Sequence, residues 1–190
     1  MVLFWGMLLG LPLVAAGMLA AVSPSAASRF FAWFKGSKAV AWTLSAVAWF
    51  WTARECDIIG IEVFDKITKA FPGELWILAG VLTFLCAIWM PANLSVRALC
   101  GILMLVPAEM FKALKDFRPE QGTLFGTSDI LGYAAYAGAI LGMYGMFYPW
   151  RIEHGVERLL GREKAARTAG AALAAFGVAA IAAGCVLAAE

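Results

Sequence analysis

Apolar positions fall along this chain in six runs, each separated from the next by a charged, proline-bearing or strongly polar stretch. Val2–Val22 carries no charge, Ala39–Ala53 offers a shorter uncharged run, and Leu75–Met90 is a third. A fourth run begins near Leu94, and Ile130–Tyr148 and Thr168–Ala189 are the fifth and sixth. A bilayer whose hydrocarbon core is about 30 Å thick asks for about 20 apolar residues of helix per crossing. The pattern therefore predicts an all-α, multi-pass transmembrane bundle of about six spans. Ala39–Ala53 barely reaches across at 1.5 Å per residue, so Lys38 and Arg54 are expected to snorkel toward the two interfaces. Pro12 predicts a kink in the first span.

The polar stretches have patterns of their own. Ala26–Lys38 mixes Arg29, Lys35 and Lys38 with Phe30, Phe31, Trp33 and Phe34, as a short interfacial helix does. Residues 54–74 hold five acidic residues, with Ile59, Val63, Ile67 and Phe71 at helical spacing, and predict an amphipathic surface helix stopped by Pro72-Gly73. Pro91-Ala92-Asn93 predicts a tight turn, and Ala113–Phe125 a polar connection punctuated by Pro119 and Gly122. In Pro149–Arg167, Ile152, Val156, Leu159 and Leu160 form one helical face, with Arg151, Glu153, His154, Glu157, Arg158 and Arg162 mostly off it. The whole reads as one membrane domain, 1–190, built of hairpins 1–53, 75–114 and 128–189, with 54–74 as an outer amphipathic connection. Gly6/Gly10 and Gly138/Gly142 are spaced GxxxG, which permits close helix approach, and the fifth span is expected to sit centrally.

Charge placement orients the bundle. The connections after spans one, three and five hold nine of the fifteen Lys and Arg residues but three of the thirteen acidic ones. The positive-inside rule then puts those bends in the cytoplasm and both termini outside. The tryptophans divide the same way, with Trp5, Trp49, Trp51 and Trp76 near the outer interface and Trp33, Trp42, Trp89 and Trp150 near the inner one.

Composition agrees with lipid as the solvent. The chain is 63% apolar and 15% charged, against about 45–50% and about 25% in an ordinary soluble domain. Its net charge of +2, with no basic–aromatic surface pattern, gives no reason to expect nucleic acid. The stretch Met1–Ala21 lacks a positive start and is too long for a cleaved signal peptide, so it reads as a retained span. Cys56, Cys86, Cys100 and Cys185 contain no CxxC and read as small buried apolar residues; only Cys56 and Cys185 fall near the outer face, where pairing is chemically open. With one histidine, His154, neither a zinc set nor a two-histidine haem site is expected, and no cofactor or metal follows.

Pro24 to Gly36 and Pro149 to Gly161 share the same separation, and each interval joins two spans through a basic, helix-patterned segment. Two spans per unit imply a parallel repeat of hairpins about the membrane normal. The second copy, with Pro149-Trp150-Arg151, Leu159-Leu160 and Arg167-Thr168-Ala169-Gly170, resembles the Pro-Trp-Arg…Arg-x-x-Gly pattern of small YjeT-like inner-membrane proteins, over about 40 residues. The first copy departs from it, with Ser25-Ala26 where Trp-Arg would fall. The resemblance implies a hairpin in a bacterial inner membrane and carries no catalytic residue across.

Candidate chemistry lies with ionisable groups at membrane depth. If Arg97 marks the inner interface, Glu109 lies about 18 Å in, where a proton or cation relay would be placed. If the span begins at Ala92, Glu109 lies close to the outer interface with Lys112 as its i,i+3 partner. Arg54, Glu55 and Asp57 form an outer cluster, read either as a cation or loop contact or as a solvated helix end. Arg29, Lys35, Lys38, Arg151, Arg158 and Arg162 are candidates for anionic lipid headgroups. No phosphate loop, HExxH or Ser/His/Asp set is present. Three functions remain: a structural or interaction component that docks to a membrane-protein partner or to itself, a small transporter or channel, and a membrane enzyme or electron-transfer subunit, which the missing clusters argue against.

Overall fold

The computed structural model describes residues 2–59, 74–90, 93–114 and 127–189. Among them it is all helical: α1 Val2–Val22, α2 Pro24–Gly36, α3 Lys38–Ile59, α4 Glu74–Trp89, α5 Leu94–Leu114, α6 Thr127–Phe147, α7 Pro149–Leu160 and α8 Glu163–Ala189. By length and composition α1, α5 and α8 are each able to cross a membrane, and Leu75–Trp89 and Leu131–Phe147 are shorter apolar helices. The surface helix expected on Val63, Ile67 and Phe71, the Pro72-Gly73 stop, Pro91-Ala92, and the connection through Pro119 and Gly122 lie outside the described residues.

Local chemistry accounts for where the helices stop and start. Pro24 opens α2 at the position where its missing N–H costs nothing, and the Ser23 carbonyl accepts from Ala27 N at 3.0 Å. Ser37 separates α2 from α3 and caps the latter, its Oγ accepting from Val40 N at 3.4 Å. Asn93 takes a left-handed φ of 59° ahead of α5, a conformation Asn tolerates better than most side chains, and its carbonyl accepts from Arg97 N. The break between α7 and α8 falls at residues 161–162, inside the segment expected to be one basic helix. As a result α8 begins earlier than the apolar run and carries Glu163, Lys164 and Arg167 on its first turns, with Glu163 and Arg167 paired at 2.7 Å. Likewise α3 runs past Ala53 through Arg54 and Glu55, so its 22 residues extend about 33 Å rather than the short span expected. The first helix continues through Pro12, which lies on its exposed side.

The chain forms two compact units, each drawn from separated stretches. The first comprises Met1–Ala32, Val106–Ile140 and Glu153–Glu190, and its spine is the antiparallel pair α1 and α8. Gly6 faces Ala180 and Gly184, Gly10 faces Gly177 and Ile181, and Gly17 faces Gly170 and Ala174. On α8 the buried positions Ala166, Gly170, Ala174, Gly177, Ala180, Gly184 and Leu187 recur at about 3.5 residues, the period that keeps one stripe on its partner along a supercoiled pair. The backbones touch. A Cβ built on Gly17 would lie 2.5 Å from Ala174 N and 2.6 Å from Gly170 O. Phe111 and Tyr136, centroids 4.7 Å apart, join α5 to α6 in the same unit.

The second unit comprises Trp33–Leu105 and Leu141–Ile152. Here α3 and α4 are antiparallel: Trp42 meets Phe84 edge-on at 6.1 Å, Phe50 stacks on Trp76 at 5.9 Å, and Trp49 packs on the Ala53, Leu75 and Ala79 cluster between them. Gly142 brings α6 against the α5 backbone, where a Cβ would lie 2.7 Å from Cys100 O, and Gly145 abuts the Cys100 thiol. Gly142 thus makes the close approach expected of it, with Gly145 as its companion there. Thr52 and Thr83 turn their hydroxyls back onto the carbonyls of Ala48 and Ala79, both at 2.8 Å, so neither exposes an unsatisfied donor. The tight seams described, α1 with α8 and α3 with α4, each join helices assigned to different hairpins in the sequence. Hydropathy locates apolar helices but does not choose their neighbours, and surface shape does.

Gly17→Ala and Gly10→Leu should each lower the stability of the purified protein by about 2 kcal/mol or more, because the clash is with facing backbone and no rotamer relieves it. Gly155→Ala, whose Cβ meets nothing within 4 Å, should raise it by up to about 1 kcal/mol through helix propensity. Thermal midpoints of the three variants in one detergent check the opposite signs. At the turn, Asn93→Gly should be neutral while Asn93→Val costs about 1–3 kcal/mol for a β-branched residue at positive φ, read on the same scale.

Candidate functional site

Within the second unit, small residues on facing helices leave a hollow. The third helix contributes Ser45, Ala48, Trp49 and Thr52, spaced to share one face, and α5 contributes Leu94, Arg97, Ala98, Gly101, Met104 and Leu105. Cys86 of α4 and Met146 of α6 complete the wall of a pocket of about 200 Å³. A Cβ at Gly101 would meet only the Ala48 methyl, at 3.9 Å, an ordinary van der Waals distance. At this level, then, α3 and α5 stand apart, whereas Gly142 presses α6 onto α5. The wall is hydrocarbon and sulfur apart from the hydroxyls of Ser45 and Thr52, the indole N–H of Trp49, and Arg97.

Arg97 is the one formal charge in that wall. Its Nη1 donates to the Met90 thioether at 3.2 Å, a weak acceptor, and its buried Nε has no hydrogen-bond partner among the described residues. Ser95, two residues earlier and 1% exposed, holds its Oγ in the same condition. Two buried donors without acceptors in one helical turn is a costly arrangement unless a ligand supplies the acceptor.

The other candidate residues are placed as follows. Glu109 and Lys112 come together on the last turns of α5, with Lys112 Nζ 3.3 Å from Glu109 Oε1; the carboxylate is 7% exposed as a residue and the ammonium half-exposed. Arg97 belongs to the second unit and Glu109 to the first. In the cluster at the end of α3, Arg54 is exposed whereas Glu55 is only 5% exposed, so Glu55 does not behave as part of a solvated helix end. Asp57 continues the same helix.

Of the basic candidates for lipid headgroups, Arg29, Lys38, Arg151, Arg158 and Arg162 are exposed and Lys35 is half-buried. Arg151 is held in place: its Nη1 donates to the Tyr144 hydroxyl at 3.4 Å and its guanidinium lies 5.3 Å from the Tyr148 ring centroid. The Tyr144 hydrogen bond pushes the Arg151 pKa above its ordinary value, so it stays cationic at any working pH. All four cysteines are free, Cys56 and Cys185 included. No group of three or more His, Cys, Asp or Glu residues able to hold a metal occurs among the described residues.

The pocket escaped the reading of the chain because its makers look ordinary there. Ser45, Ala48 and Thr52 recur as a stripe of small residues, and such a stripe marks a tight seam as readily as a gap. Comparison with known proteins assigns no family: no protein-family model, no curated protein and no solved structure matches this chain.

Proposed function

We propose that this protein is a multi-pass membrane protein with a structural role, a lipid-embedded helical scaffold that engages a membrane partner or a second copy. One observation carries the reading. On α1 the buried residues include Gly6, Gly10 and Gly17 while Phe4, Leu11, Met18 and Val22 are exposed. On α8 the buried residues are all Gly or Ala except Leu187, while Phe176, Val178 and Val186 are exposed. A water-soluble protein buries its large apolar side chains and exposes small and polar ones. The reverse order is stable where hydrocarbon is the solvent and helices associate through close packing of small residues.

In this reading the chain makes six crossings with its basic bends on the cytoplasmic side, an orientation that charge placement supports. The short α4 and the apolar part of α6 count as crossings in this scheme, and α2 and α7 lie in the interface with their cations toward headgroups. The likeness of the last hairpin to YjeT-like proteins directs the reading to a bacterial inner membrane. The ion pair of Glu109 with Lys112 supports an interfacial rather than a relay role for that carboxylate. The exposed large apolar side chains on α1 and α8 suit docking to a membrane partner or a second copy.

Membrane pellets washed with alkaline carbonate should retain the protein. In a variant whose native cysteines are replaced by alanine, Gly36→Cys and Gly155→Cys occupy open positions on the two basic bends. An impermeant thiol reagent should label both only after permeabilisation, and Arg54→Cys in intact spheroplasts. Labelling of the two bend cysteines from outside would reverse the proposed topology, and release by carbonate would remove the membrane reading.

A further inference from the structure

We propose that the pocket of the second unit binds part of one acyl chain of an anionic lipid, with the headgroup held at Arg97. This rests on the lipid-embedded reading above and goes beyond it, since a bundle can sit in lipid without selecting any.

Size is the first consideration. An apolar cavity of about 150 Å³ is large enough for benzene, so about 200 Å³ takes a segment of hydrocarbon and not a whole lipid. The rest of the molecule would lie outside the wall, among the exposed apolar side chains. Lining chemistry is the second. Thr52 already spends its hydroxyl on Ala48 O, so along α3 the hollow presents methyls and an indole face more than free polar groups. That suits hydrocarbon rather than an ion or a sugar.

Charge complementarity is the third, and it selects the head. Arg97 combines a full positive charge, a buried Nε with no acceptor among the described residues, and a weak thioether contact. A phosphodiester supplies what Arg97 lacks, a strong bidentate acceptor of opposite charge. Because Arg97 stands in the first turn of α5, the positive end of that helix's dipole adds to the attraction for an anion. An amphiphile with a phosphate at one end and a chain at the other satisfies Arg97 and fills the hollow together.

The test uses the full-length protein in phosphatidylcholine vesicles containing, at equal mole fraction, either phosphatidylglycerol or phosphatidylcholine with brominated chains. Bromine quenches indole fluorescence on contact, and Trp49 lines the pocket; its share is the difference between wild type and Trp49→Phe. Brominated phosphatidylglycerol should quench Trp49 with roughly fivefold preference over brominated phosphatidylcholine, the contribution of one basic residue at a headgroup. Arg97→Gln should bring that preference to parity. Gly101→Leu, which fills the hollow, should remove the quenching of Trp49 by both lipids while leaving that of Trp89, which is 78% exposed.

Equal quenching by the two lipids in the wild type, or a preference unchanged in Arg97→Gln, overturns the proposal. So does loss of the preference on adding inorganic phosphate at matched ionic strength, which assigns Arg97 to a soluble anion. Quenching of Trp89 that spares Trp49 sinks the pocket alone, whereas absence of quenching at every tryptophan sinks the lipid-embedded reading with it.

Discussion

Contact of backbone with backbone between the first and last helices is the constraint on which the first unit depends. Gly6, Gly10 and Gly17 can face Gly184, Gly177 and Gly170 only because neither helix carries a side chain there. In hydrocarbon the solvent offers no hydrophobic reward for bringing two apolar helices together, so attraction must come from the number of atoms in contact. Removing side chains from both sides raises that number, and each added methyl lowers it. The partners lie almost a full chain length apart, so this seam forms only after the last helix is made. Long-range closure of that kind is slow but unites the two ends of the chain in one unit.

Glycine serves opposite ends in the two units. At Gly142 it removes the obstacle that would keep α6 off the α5 backbone. At Gly101, one helical face away, the same residue type leaves room that nothing fills, and a pocket results. What differs is the residue across from it: backbone of a pressed helix in one case, the Ala48 methyl of a helix held off in the other. The aromatic pairs Trp42–Phe84 and Phe50–Trp76 fix α3 against α4 instead.

Ionisable residues follow a related logic. Glu109 has Lys112 one turn on, and Glu163 has Arg167, so both carboxylates find cations on their own helices. Arg151 is steadied by two tyrosines on the preceding turns. Arg97 is the contrast, because among the described residues its side chain donates to a methionine sulfur, a weak acceptor.

Much of the helical layout was written in the order of residues. Apolar runs located α1, α4, α5 and α6, the basic and aromatic mixture around Arg29 and Phe34 announced α2, and the 3.6-residue pattern of Ile152, Val156 and Leu160 announced α7. Those features arise from hydropathy, capping and local stereochemistry, which act over a few residues and are visible in them. Tertiary structure alone decided which helices became neighbours, that α8 reaches back to Glu163, that Glu55 is covered, and that Ser45, Ala48 and Gly101 face a hollow. Each of those depends on the distance between two surfaces remote in sequence, and a stripe of small residues does not say by itself whether another helix closes on it.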